Sequence, residues 1–216
     1  MRLLKSFAIG LLIGTLGGLI GLGGAEFRLP LLVGLFNFAS LEAVIINKIS
    51  SLIVVFFSIP FRSQSIAWSD VFSHVAVILN ILAGSMAGAW VGAHYASKIK
   101  TRMLDKVMVV LLVCLSAGMI LGHGIMAGAP LVAVFDGWIL RVLGVVAGLG
   151  IGLVSSILGV AGGELIIPTL VLLFGIDVKL AGSLSLCISL PTMLVAFIRY
   201  TQSGAIRIFL KEKSFI

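Results

Sequence analysis

The sequence predicts an all-α, polytopic membrane protein built as an inverted repeat of two helical units, each opening on a glycine-broken, re-entrant helical hairpin. Three observations carry that expectation: the apolar content, a match of the chain to itself at one offset, and the placing of Lys and Arg. Of the 216 residues, 60% are apolar and 11% charged, and the mean hydropathy is +1.26, a composition suited to a bilayer rather than to water. The net charge of +7 is spread over short joints between apolar runs. That is the positive-inside pattern, not the basic stripe of a nucleic-acid-binding surface.

The self-match is set by Pro30 and Pro168, 138 positions apart, and at that offset 12 of the 27 residues from 10 to 36 are identical. The pairs include Gly14 with Gly152, Gly21 with Gly159, Gly24 with Gly162 and Glu26 with Glu164. A repeat of this kind marks one structural unit used twice. The first residues, with a basic head and an apolar stretch, fit a cleavable signal peptide. Their internal copy argues instead that they belong to the fold.

In order along the chain, the first unit reads as an apolar helix over 7–22, a glycine-rich break, a short apolar segment over 27–38, and spans over 43–61, 71–93 and 104–121. A helix over 27–38 rises only about 18 Å, against the roughly 30 Å of a hydrocarbon core, so it reads as half of a re-entrant hairpin. The second unit repeats the pattern with 138–158, a break, 165–175 and 180–198. The expected organisation is a first repeat over 1–122, an external loop over 123–137 and a second repeat over 138–216.

Lys98, Lys100, Arg102 and Lys106 mark a cytoplasmic joint, as do Arg2 and Lys5 at one end and Arg199, Arg207, Lys211 and Lys213 at the other. With the joint over 123–137 free of Lys and Arg, three spans separate the two hairpins and the second unit is inverted. Both termini then face the cytoplasm of a bacterial inner membrane. By comparison with the first unit, the second lacks its last two helices, which keeps a non-transporting fragment among the readings.

The breaks read GLGGAEFRLP over 21–30 and GVAGGELIIP over 159–168. Glycine permits positive φ, proline withdraws a donor, and each break opens a helix whose free N–H groups suit an anion. Gly23, Gly24, Gly162 and Gly163 are therefore candidate substrate contacts, while Gly17, Gly18, Gly84 and Gly88 read as close helix packing. Glu26 and Glu164, ionisable groups inside apolar runs, are candidates for proton coupling or for capping the half-helices beside them. Arg28, matched by Ile166 in the second unit, is either an anion ligand or a counter-charge to a glutamate. Asn47, Ser51, Ser185 and Ser189 add polar side chains on apolar helices that suit an oxyanion, and Lys48 is expected to snorkel to the interface. His74, His94 and His123 lack ligand spacing, so no metal or other cofactor is assigned. Cys114 and Cys187 sit in apolar runs and imply no disulfide. The GSMAG string around Ser85 has no base beside it, and no enzyme activity is expected.

With the stretches GLIGLGGAEFRLPLLVGLF and LGVAGGELIIPTLVLLFG, followed by KLAGSLSLCISLPTMLVAFIRY, the sequence resembles the sulfite exporter family TauE/SafE. The resemblance covers about residues 7–216. It implies a secondary transporter of sulfite, sulfonates or related small anions, working within a lipid bilayer and without a nucleic-acid partner. An uncoupled anion channel is the rival reading, and a homo-oligomer stays open.

Overall fold

The computed structural model describes residues 10–13, 15, 24–62, 68–125 and 137–203, the side chains of 61–62 and 115–125 excepted. Within them every regular element is a helix. After helical residues at 10–13 come α1 (Ala25–Gly34), α2 (Ser40–Arg62), α3 (Trp68–Ser73), α4 (Val75–Ala96), α5 (Thr101–Ile125), α6 (Gly137–Leu158), α7 (Gly163–Phe174) and α8 (Val178–Gln202). Four of these, α2, α4, α6 and α8, are long and apolar enough to cross a membrane. The chain is a multi-pass membrane protein.

The two short helices follow the repeat seen in the sequence. α1 and α7 begin at the same offset of 138, and each follows a glycine in the left-handed region, Gly24 at φ 73° and Gly162 at φ 82°. A Cβ-bearing residue meets steric cost in that conformation, so glycine is what lets the chain turn into each half-helix. Pro30 and Pro168 each stand sixth in their helix and have no N–H to donate. The carbonyls of Glu26 and Glu164, four residues before, thereby lose the donor that would ordinarily close their turn.

The scaffold behind them is the α4–α6 pair, where backbones touch. A Cβ on Gly84 would lie 1.9 Å from the Val145 carbonyl oxygen, and one on Gly152 would lie 2.0 Å from that of Ser85. The expected packing role of Gly84 and Gly88 is what the structure shows; Gly17 and Gly18 lie outside the described residues. Each half-helix seats in its own apolar cluster. Ala25 and Leu29 of α1 join Val44, Ala89, Ala93, Leu158 and Tyr200, while Ile166 and Leu170 of α7 join Ile81, Ile151, Leu184 and Ile188. Large apolar side chains such as Leu79, Val110 and Val146 point outward, as a lipid-facing surface requires.

One expected span begins later than the sequence suggested. The run over 71–93 is divided at His74 into the short α3 and the long α4. Ser73 Oγ and His74 Nδ1 both turn back to the Asp70 carbonyl, at 2.7 and 2.8 Å. Such local side-chain bonds compete with helix continuation.

Candidate functional site

The two breaks meet on α2. Asn47 Nδ2 donates to the Ala25 carbonyl at 3.0 Å, at the start of α1, and to the Leu158 carbonyl at 3.4 Å, where α6 ends at the second break. Gly159, at φ 69°, passes so near α2 that a Cβ would stand 2.4 Å from the Val44 carbonyl oxygen. A single buried amide thus bridges the halves of the chain, and its remaining acceptor, Oδ1, takes Arg28 Nε at 3.1 Å.

Arg28 is held by two anchors rather than by a carboxylate. Its Nε goes to Asn47 and its Nη2 to Ser51 Oγ at 2.7 Å. Asn47 and Ser51 lie one turn apart on α2 and so share a face. With Nε and Nη2 engaged, Nη1 has no partner among the described residues. The counter-charge reading finds no ion pair at Arg28 there, although the Glu26 carboxylate acts on it through space.

Glu26 and Glu164 stand in the first turns of α1 and α7. Both oxygens of Glu26 and Oε1 of Glu164 are buried without a hydrogen-bond partner. The carboxyls approach closely enough to interact, and Glu164 also faces its own backbone N–H and the Lys48 ammonium. On the second unit's side, Ser185 Oγ bonds back to the Gly182 carbonyl at 2.9 Å and lies 3.9 Å from where a Gly163 Cβ would be. Ser189, one turn further, buries its Oγ unpartnered. Ser185 and Ser189 stand at the repeat positions of Asn47 and Ser51. Where Arg28 donates to Ser51 Oγ, Ile166 at the matching position has no donor to offer Ser189. Gly23 lies outside the described residues.

The expected interfacial position of Lys48 is overturned. Its side chain is fully buried, and Nζ donates to the carbonyls of Ser155 at 2.9 Å and Val160 at 3.0 Å and to Ser155 Oγ at 3.4 Å. Its Cα stands eight residues into α2, roughly 12 Å along the axis, and the nearby acceptors turn the stem inward. Ser155 and Tyr200, whose hydroxyl reaches the Ser156 carbonyl at 2.9 Å, were not singled out in the sequence. The available signal was a lysine beside Asn47 in the midst of apolar residues, of the same kind that marked Glu26.

The model of one protein family, sulfite exporter TauE/SafE, matches residues 6–210, nearly the whole chain. The chain belongs to the sulfite exporter TauE/SafE family. No curated protein and no solved structure matches it. This TauE/SafE chain is therefore a membrane transporter of the sulfite-exporter type. Its hydroxyl at Ser85, within the GSMAG string, is engaged with Thr192 Oγ1 at 2.8 Å between α4 and α8, a packing contact.

Proposed function

We propose that this protein is a secondary transporter carrying sulfite, a sulfonate or a related small anion across the bacterial cytoplasmic membrane, with the anion bound where the two breaks meet on α2. The observation that carries this is the tethered Arg28. Anchored through Nε and Nη2, its guanidinium is pre-organised with Nη1 free of partners among the described residues, which favours a planar, directional grip on an oxyanion. The first-turn N–H groups of α1 and α7, behind Gly24 and Gly162, supply further donors and partial positive charge. Gly163, Ser185 and the unpartnered Ser189 hydroxyl complete the proposed contacts from the second unit.

Glu26 and Glu164 are the proposed coupling pair. A proton between two facing carboxyl groups turns one into a donor and satisfies the other, so uptake or release of that proton changes how well the two half-helices hold together. The inverted repeat, with cytoplasmic termini and repeats over 1–122 and 138–216, gives the symmetry through which one site opens to each side in turn.

The test is transport by reconstituted protein. Vesicles should accumulate labelled sulfite or a small sulfonate under an imposed pH gradient, and failure with every such anion would refute the reading. Dissipation of an anion gradient without any accumulation would establish a pore instead.

A further inference from the structure

Lys48 has no part in the anion site, yet it is among the largest fully buried side chains of the protein. Its ammonium sits in a cradle of three oxygens, all supplied by the end of α6 and the break after it. The cradle is itself braced, since Ser155 Oγ donates to the Val160 carbonyl at 2.8 Å. Two other side chains satisfy neighbouring carbonyls of the same helix end: Tyr200 at Ser156 and Asn47 at Leu158. A helix C-terminus carries partial negative charge, and its unwound carbonyls are where broken-helix transporters seat a coupling cation.

Among the described residues, the charged and titratable groups on the elements around Lys48 are few. α7 brings Glu164, whose charge acts on it through space. α1 brings Glu26 and Arg28, the latter bonded to the adjacent Asn47. α8 brings Tyr200, whose hydroxyl is committed to Ser156. α5 brings Asp105, which is bonded to Ser40 two turns earlier on α2. α6 contributes oxygens only.

Two carbonyls and a hydroxyl form a hard, uncharged donor set that suits a monovalent cation, and here the chain supplies the cation. We propose that the Lys48 ammonium is a tethered ion in a built-in monovalent-cation site at the second break, doing there what a bound sodium ion would otherwise do. The seat does not depend on the transport reading. That reading enters only in the corollary that the driving gradient is one of protons and not of sodium.

The experiment compares melting of the purified, detergent-solubilised protein in sodium, lithium and choline chloride at equal concentration, with no anionic substrate present. The unaltered protein should melt at the same temperature in all three. Lys48→Ala should melt lower in choline and recover by about 3 °C or more with sodium, lithium or n-propylammonium, which refill the vacated seat. Lys48→Met, whose stem still occupies the space, should show no recovery. Sodium-dependent melting of the unaltered protein, or a destabilised Lys48→Ala that no cation rescues, overturns the proposal. Should Lys48→Ala yield no folded protein, Lys48→Arg should restore folded yield and Lys48→Gln should not; equal yields from these two would also overturn it. Because melting is read without transport, a protein that moves no sulfur anion still gives a decisive answer.

Discussion

Replacing Gly88 by alanine tests whether the α4–α6 contact sets the geometry of the fold. The added methyl would lie 2.0 Å from the Leu149 carbonyl oxygen, 2.8 Å from its carbonyl carbon and 3.0 Å from its Cα. Ordinary contact begins at 3.4 Å, so the helices must part by roughly 1.4 Å, beyond the gap of about 0.5–1 Å that already forfeits a quarter to a half of the dispersion energy of facing atom pairs. The obstruction is backbone, which no rotamer change relieves, so overpacking should cost about 3 kcal/mol, the upper end of its usual range. The bonds from Ser156 Oγ to the Ala89 carbonyl and from Asn80 Nδ2 to the Arg141 carbonyl, both 3.0 Å, would stretch as well. Against this, alanine gains about 1 kcal/mol in helix propensity. The net loss of about 2 kcal/mol corresponds to a melting temperature lower by about 4–8 °C for a chain of this size. Gly150→Ala is the control, because it lies on α6 with nothing within 4 Å of its would-be Cβ and should gain the propensity term alone. Thermal melts in one detergent decide the matter. If Gly88→Ala melts at or above Gly150→Ala, the close approach of these helices does not shape the fold.

Arg28→Lys should lower anion affinity by about tenfold or more while leaving the melting temperature little changed, since an ammonium cannot hold Asn47, Ser51 and an oxyanion in one plane; unchanged affinity in Arg28→Ala would remove Arg28 from the site. Glu26→Gln and Glu164→Gln should each fold and lose pH-dependent uptake in vesicles, because an amide keeps an acceptor but carries no exchangeable coupling proton; full pH dependence in both variants would refute the coupling role. Ser189→Ala should match or exceed the unaltered protein in thermal stability, since it removes a buried hydroxyl that has no partner, a gain of up to about 1 kcal/mol. The same variant should bind the anion more weakly, and unchanged affinity by calorimetry would take Ser189 out of the contacts.

Much of the fold was legible because its strongest signals are chemical necessities at fixed spacing. Glycine before each half-helix and proline six residues in recur at one offset, and the structure gives α1 and α7 the same starting conformation at that offset. The expected run over 138–158 coincides with α6 to within one residue. The division at His74 was not legible, because it depends on which way two polar side chains turn. For the site, Arg28, Asn47 and Ser51 were each picked out for their chemistry, but that they bond to one another follows from how α1 lies on α2, which no local pattern encodes. Lys48 was misread for the same reason. Its long stem suits either snorkelling outward or reaching inward, and only the position of the α6 end, more than 100 residues away in sequence, decides between them.

The α6 terminus is completed by side chains made at different times. Lys48 and Asn47 precede it in the chain, whereas Tyr200 lies 44 residues beyond Ser156. At ordinary rates of synthesis that interval is about 2–9 s. Throughout it, the tyrosine that completes the helix end has yet to be made. The α6 end therefore gains its Tyr200 hydrogen bond only after the residues that supply its Lys48 and Asn47 partners have long been made.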